Sequence, residues 1–397
     1  MQEGGRQAGE NTVGELAEAG SIATPVGWYL KFTPKPGYYG PARVGFRLTS
    51  ALGISNTGTV TYNLGLDTAE VTEEIDALVH GFVRSRQSLI ASTVKVPGLL
   101  ERRRNQTATD PITARMTPSQ QGITLGFATS LAQMEAARNS ADGIEGGSSL
   151  LYNIWVDGAF LTHNRDDDDN DSRWGNFAMV SAGADYLLSE RALIGLSFHY
   201  DRMTDPTEDD AELTVNGSLA GPYASFEVGK GVFWNTSLLY GGSSNDIDTE
   251  FWDRTFDTRR WLFDTSITGQ WKLDDVTVLT PKLRAVYFSE EVDDYAVKSG
   301  SGDEIGLDGF TEEQLRVSLG AEIARSFTLE DSRVFTPTLG ATAGFSGLDG
   351  EGLFGSVSAG LSLQTSDAWS IDTSLLFNIE GDGETSVGAK AGLGTRF

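Results

Sequence analysis

The chain has 397 residues and a formal charge of −26, from 30 Lys plus Arg against 56 Asp plus Glu, which argues against a nucleic-acid partner. There is no cysteine, which excludes disulfides, thiolate metal sites and cysteine nucleophiles. The three histidines (His80, His163, His199) are too few for most histidine metal centres, and no metal or cofactor is expected. Glycine is frequent, at 47 residues, but proline is not, at 11, so the composition is not that of a proline-rich disordered chain. No apolar run reaches 18 residues, which excludes a transmembrane helix and leaves a transmembrane barrel open.

The first twenty residues, MQEGGRQAGENTVGELAEAG, carry neither a basic region nor an apolar core, so no signal peptide is visible. The chain is expected to be a fragment, or a reading frame begun at an internal Met. Residues 27–65 read as short strands separated by the turn chemistry of Pro34-Lys-Pro-Gly37 and Gly53 to Gly58. The stretch FTPKPGYYGPARVGFRL followed by GTVTYNL resembles the tail of a bacterial immunoglobulin-like or cadherin-like repeat. A full module needs roughly 90–100 residues, so residues 1–66 are read as a partial one, the end of a longer array.

Over Glu70–Ser92, Val71, Ile75, Leu78, Val79, Phe82, Leu89 and Ile90 recur at helical spacing. Packing on the neighbouring domain is the favoured reading of this amphipathic helix, and lining a pore its rival. KVPGLLERRRNQ (95–106) reads as an exposed basic linker. Thr129–Asn139 is a second helix candidate, rich in good helix formers.

From about Leu150 the period changes to two. Leu315, Val317, Leu319, Ala321 and Ile323 share one face, while Arg316, Ser318, Gly320 and Glu322 share the other. Trp261 to Trp271, Trp369 to Ile379 and Val387 to Phe397 repeat the pattern, with Asp372, Lys390 and Arg396 on polar faces. Twelve strands are expected, near 150–162, 173–187, 191–203, 213–228, 231–244, 257–272, 275–289, 311–327, 333–345, 354–364, 368–379 and 385–397. Alternation alone does not say which face is interior, but three features do. The runs exceed ordinary strand lengths. Trp261 and Trp271 lie on one face, roughly 25 Å apart along a membrane normal, as two aromatic girdles would. Tight turns (188–190, 229–230, 273–274, 365–367) alternate with long, mostly acidic connections (163–173, 203–212, 245–256, 290–310). The fold class is therefore all-β: a twelve-stranded antiparallel outer-membrane β-barrel over 150–397, apolar face to lipid and polar face to lumen, girdled by Trp261, Trp271 and Trp369.

Trp155-Val-Asp-Gly158, Gly183-Ala-Asp-Tyr186, Ile194-Gly-Leu-Ser-Phe-His-Tyr200 and a terminal strand ending in Phe397 complete a pattern that resembles the translocator domain of autotransporters, the type V secretion proteins of Gram-negative bacteria. The resemblance implies a barrel that anchors in the outer membrane and passes an N-terminal passenger, here adhesin-like, to the cell surface. It implies partners too: outer-membrane lipid and lipopolysaccharide, periplasmic chaperones, and a barrel-assembly machinery that reads Phe397, Leu393, Ala391 and Ala389. A monomer is expected. With the C-terminus periplasmic and an even strand count, residues before Leu150 (within 67–149) must thread the lumen. Thr129–Asn139 is the expected plug, with Glu135 and Arg138 meeting lumen charges such as Arg316, Glu322, Asp372, Lys390 and Arg396. Some relatives cleave themselves at an Asn-Asn pair; this chain has none, and no such cleavage is expected.

Two rival functions fit the same pattern: a passive channel with a periplasmic N-terminus, and a surface hydrolase. For the hydrolase, His163 with Asp166–Asp169, or His199 with Asp201, could form a dyad, but nothing orients either beside a nucleophile. No catalytic residue is assigned. Asp166–Asp169 and Asp209-Asp210 lack calcium-loop spacing and read as solvated loops.

Overall fold

A computed structural model describes residues 6–8, 20–23, 31–34, 39–50, 53–108, 110–119, 122–144, 150–165, 173–206, 212–249, 251–299, 302–328, 334–350, 352–364, 369–380 and 384–395, with the backbone alone at 6–8, 20–23, 31–34, 45–50, 53–57, 70, 114–119, 122–124, 162–165, 173–174, 206 and, of the described residues, from 362 onward. The chain divides into two compact units, Met1–Val79 with Ala296–Leu307, and His80–Tyr295 with Asp308–Phe397.

In the first unit, β1 (Arg6–Ala8) pairs with β4 (Gly40–Ser50), which pairs with β5 (Gly53–Leu64) in a three-stranded antiparallel sheet. The strands β2 (Gly20–Ala23) and β3 (Lys31–Pro34) form a separate pair. The strands β3, β4 and β5 fall within residues 27–65, where the sequence predicts short strands. Helix α1 (Thr68–Thr93) belongs to this unit up to Val79 and to the second unit from His80.

The second unit is built on a closed barrel. After the short helix α2 (Leu99–Asn105) come β6 (Ile112–Ser119), β7 (Gly122–Ser130) and helix α3 (Leu131–Ala141). The long strands follow: β8 (Tyr152–Arg165), β9 (Arg173–Ser189), β10 (Ala192–Pro206), β11 (Glu212–Gly229), β12 (Val232–Asp248), and β13 (Trp252–Gly269) with its continuation β14 (Trp271–Lys272). Next are β15 (Thr277–Val292) and β18 (Phe310–Arg325) with its continuation β19 (Phe327–Thr328); in chain order between them come the small strands β16 (Tyr295–Ser299) and β17 (Glu304–Leu307), which from Ala296 to Leu307 belong to the first unit. The chain ends in β20 (Val334–Leu348), β21 (Gly352–Gln364), β22 (Trp369–Glu380) and β23 (Glu384–Thr395).

All twelve expected strands are present, and among the described residues the β6–β7 hairpin adds two more to the wall. The β6–β7 hairpin enters the wall between β23 and β8, so it closes the cylinder. Its alternation is short but real, with Ile112, Leu125 and Phe127 exposed. The stretch 290–310, expected as a loop, contains β16 and β17. There the Tyr39 hydroxyl lies 2.7 Å from both Ser299 Oγ and Asp303 Oδ2.

The barrel is inside-out relative to a soluble sandwich. On β18 the exposed Leu315, Val317, Leu319 and Ile323 face outward, whereas Glu312, Gln314 and Arg316 are buried. On β13 the buried set includes Thr258, Arg260, Leu262, Ser266 and Thr268, and the exposed set includes Trp261, Phe263 and Ile267. Outward apolar side chains recur on β8 to β13, β15, β18, β20 and β21. Aromatics mark both borders of this belt. Tyr240 packs on Trp261 (ring centroids 4.4 Å apart) toward the long connections, while Tyr152 pairs with Tyr186, and Phe226 with Trp234, near the short turns. The β11–β12 turn needs glycine at Gly231, where φ is +68°. In the β14–β15 turn, the Val276 amide (2.9 Å) and the Thr277 hydroxyl (3.0 Å) donate to Asp274 and hold its carboxyl below the usual range.

Candidate functional site: the occupied lumen

A barrel of this kind acts through its lumen, and here the lumen holds polypeptide. The occupant runs from His80 in α1 to α2. The wall registers give its direction. Glu290 lies near the end of β15 and Glu312 near the start of β18, both beside the long connections, whereas Ser225 and Glu227 end β11 at a short turn. His80 Nδ1 is 2.6 Å from Glu312 Oε1, and its ring stacks on Phe310 at 3.6 Å between centroids. Arg84 reaches the same carboxylate at 3.3 Å, and Gln87 donates to the Glu312 carbonyl oxygen. Further down, Arg284 donates to the Val94 carbonyl oxygen, and the Leu99 amide donates to Ser225 Oγ at 2.8 Å. At the short-turn end, Arg103 bonds Glu227 Oε2 and the Glu190 carbonyl oxygen, each at 2.7 Å. The chain thus crosses the barrel from its long-connection end to its short-turn end.

Local chemistry breaks this thread into two helices. Pro97 disfavours helix in the residue before it, and five residues without regular structure (94–98) separate α1, which ends at Thr93, from α2. Gly98 caps α2, its amide donating to Glu101 three residues on. Gly98 also runs so close to the wall that a Cβ there would collide with the Asn235 side chain.

Two buried charge clusters fix the thread. In the first, Arg86 of α1 pairs with Glu290 and donates to Asn245 Oδ1; both Arg86 and Glu290 are fully buried. Arg260 of β13 bonds the same glutamate at 3.2 Å and Asp201 of β10 at 2.7 Å, and the Thr258 hydroxyl donates to Glu290 at 2.6 Å. Two guanidinium groups face two carboxylates, so the cluster is neutral, as buried charge must be to survive desolvation. In the second, Arg102 of α2, 1% exposed, lies 3.4 Å from Asp185 and donates to the Leu150 and Tyr152 carbonyl oxygens. Asn153 and Tyr223 donate to Asp185, and Trp155 Nε1 donates to the Tyr223 hydroxyl at 2.8 Å. Leu99, Leu100, Leu193 and Phe233 pack around Trp155 and Tyr223. This assigns physical work to the motifs. Gly183 leaves room for the Trp155 ring, Gly195 for the Tyr223 ring, and Asp185 receives Arg102.

The sequence-derived site residues separate accordingly. Arg316 faces inward, its guanidinium 4.2 Å from the Phe354 ring centroid. Glu322 belongs to the inward set of β18 but is exposed to the unfilled part of the lumen. Trp261 and Trp271 face outward. Trp369 and Asp372 lie on β22, and Ala389, Lys390, Ala391 and Leu393 on β23, where the backbone alone is described. Arg396 and Phe397 lie outside the described residues, as do Asp166–Asp169 and Asp209-Asp210. His199 is buried between Ser181 and Ser197, and Asp201 is committed to Arg260, so this pair forms no rim dyad. Among the described residues no cluster suits a metal ion.

Three expectations require correction. Thr129–Asn139 is helical, as α3 from Leu131, but it does not plug the lumen. Ser130 caps it where β7 ends at the short turns, and the Ala132 amide bonds Asn153 Oδ1 at the start of β8. Arg138 is 83% exposed and pairs with Asp142, and Glu135 sits on the same short helix. Residues 95–106 are not an exposed linker, because Arg102 needs Asp185. The second half of α1 lies in the lumen, against the wall residues Glu290 and Glu312, which favours the pore reading of that helix over packing on a neighbouring domain. The missed signal was the hairpin: once β6 and β7 run up and down the wall, the threading segment must precede Ile112.

A model of the autotransporter β-domain matches residues 154–345. Those residues are an autotransporter β-domain. Solved structures similar to this chain include the translocator domain of the autotransporter NalP from Neisseria meningitidis, at 13% identity over 81% of this chain and 98% of that one, TM-score 0.44. The transport unit of the autotransporter AIDA-I from Escherichia coli is similar at 12% identity over 80% and 98%, TM-score 0.40. The CymD monoaromatic hydrocarbon channel is similar at 11% identity over 74% and 90%, TM-score 0.44. No curated relative matches the chain. The β-domain is an outer-membrane translocator module of Gram-negative bacteria. Its apolar outer belt and polar, charge-clustered lumen are the two surfaces that role needs.

Proposed function

We propose that this β-domain delivers the chain's N-terminal region through the lumen to the cell surface and then holds it there. The observation that carries this reading is the thread from His80 to Asn105, anchored by Arg86 and Arg102 and directed from the long-connection end to the short-turn end. Outer-membrane barrels place short turns in the periplasm and long loops outside. The residues before His80 then emerge outside. The passenger is adhesin-like, a reading supported by the strand-and-turn pattern of residues 27–65. Assembly runs through the periplasmic machinery, with the alternating residues of β23 and Phe397 as its signal, and the molecule works as a monomer among outer-membrane lipids.

The test is protease shaving of intact cells that express the chain behind a signal peptide, with an epitope tag at Gly5. Loss of the tag outside, with a protected core containing α1 from His80 onward, is the expected result. A tag cleaved only after the outer membrane is opened overturns the reading in favour of a channel with a periplasmic N-terminus.

A further inference from the structure

The connection that joins β15 to β18 is barrel sequence, yet residues 296–307 within it share a compact unit with residues 1–79. They carry the hairpin β16–β17, whose turn uses Gly302 at a φ of +93°. The Ser299 amide donates to the Asp303 carbonyl oxygen at 3.0 Å and closes that turn. Burial alternates along both strands. Val297, Ile305 and Leu307 are buried on one face, while Lys298 and Glu304 lie 3.6 Å apart and half exposed on the other.

A two-stranded hairpin has no second layer of its own to cover such a face, and alone it is marginally stable in water. The first half of α1 has the same need. Val71, Ile75 and Val79 recur at every fourth position and are buried, whereas Glu73 and Glu74 are exposed. Ala42 and Val44 add a buried row from β4. The core of this unit is therefore assembled from two stretches far apart in sequence, one that precedes the thread and one that the barrel supplies. A polar pin joins them directly. The Tyr39 hydroxyl donates to Asp303 Oδ2 at 2.7 Å and lies 2.7 Å from Ser299 Oγ, a residue 260 positions away. Ser299 Oγ also accepts from the Asp303 amide at 3.1 Å, so the turn that receives Tyr39 is itself fixed.

We propose that the buried face of β16–β17 is a clasp whose partner is residues 39–64 of the same chain, and that it keeps the N-terminal region on the barrel without needing an unbroken polypeptide. The hairpin and the first half of α1 supply apolar surface, which carries the affinity. Asp303 and Ser299 supply the pin, which sets where Tyr39 sits. The N-terminal region is then held twice, by the buried thread and by the clasp. The clasp gives a device to the holding step of the proposed function and rests on that reading for its place at the cell surface.

The experiment uses the full chain with the recognition site of a sequence-specific protease inserted after Gly65, which is exposed and has nothing within 4 Å of a Cβ built there. The protein is refolded in detergent, cut, and followed by size exclusion over time. The fragment that ends at Gly65 is expected to stay with the barrel. Val297→Asp places a carboxylate in the buried face and should speed release about tenfold or more. Tyr39→Phe keeps the ring, loses the pin and touches no barrel residue; it should speed release by a smaller factor. Lys298→Asp, on the exposed face, should leave release unchanged. Heat-modifiable gel migration of each variant shows that its barrel is folded. Release from the otherwise unaltered protein as soon as it is cut overturns the proposal, as does retention that Val297→Asp and Tyr39→Phe leave unchanged. A periplasmic tag in the shaving experiment would overturn the proposed function and leave this measurement untouched, so the two failures are distinct.

Discussion

Arg86 of α1 and Glu290 of β15 meet inside the barrel with both side chains fully buried. The helix contributes a guanidinium that the wall cannot supply, and the wall contributes a carboxylate that Arg260 shares. Removing one member leaves charge without a counter-charge. Arg86→Met and Glu290→Gln should each destabilise the seated helix by about 3–5 kcal/mol, the cost of breaking a buried pair from one side. The double variant restores neutrality around Arg260 and Asp201 and should lose less than the sum. The measurements are unfolding free energy in detergent and single-channel conductance, which rises when the helix leaves. Strict additivity of the two losses would show that the contact carries no coupling.

Two glycines of the thread should respond in opposite directions. Gly81 sits inside α1, and a Cβ there would meet nothing within 4 Å. Gly81→Ala should therefore stabilise by roughly 0.5–1 kcal/mol through helix propensity. Gly98 is crowded by Asn235 and Ser225. Gly98→Val should open the lumen, seen as increased conductance and a lower unfolding midpoint. Equal responses at the two positions would mean that the thread does not run against β12.

The barrel was legible because period two is written directly in side chains such as Leu315, Val317 and Leu319, and because its outward face must be apolar whatever fills the interior. The contents of the lumen were not legible in the same way. Arg102 looks like an exposed basic run beside Arg103 and Arg104, since its partner Asp185 is 83 positions away and only the fold brings them together. The Gly183 and Asp185 motif was visible as a pattern, but its reason, room for Trp155 and a seat for Arg102, was not. The β6–β7 hairpin is hidden by its brevity, and a wall read without it places the threading segment at Thr129–Asn139 instead of His80–Asn105.

Tryptophans on the two faces should be separable by lipid. Trp261 is half exposed on the outer belt, whereas Trp155 is 2% exposed and hydrogen-bonded in the lumen. In bilayers of brominated lipid, Trp261→Phe should remove part of the fluorescence quenching, because interfacial indoles contact the acyl region. Trp155→Phe should lower the total emission and leave the quenched fraction of the remainder unchanged or higher. Quenching carried by Trp155 would place the wall the wrong way round.

Adjacent arginines of α2 should differ sharply in their energetic weight. Arg102 is buried against Asp185, while Arg103, 38% exposed, pairs with Glu227 at the mouth. Asp185→Ala strands the Arg102 guanidinium among backbone carbonyls and should cost about 3–5 kcal/mol. Arg103→Ala removes a solvated pair and should cost about 1 kcal/mol or less. Arg102→Met, which deletes the charge but keeps the bulk, leaves Asp185 held by Asn153 and Tyr223 and should fall between the two. Urea unfolding midpoints of the three variants give the order directly. A loss for Arg103→Ala as large as that for Asp185→Ala would mean that α2 is held at the mouth and not by the buried Arg102.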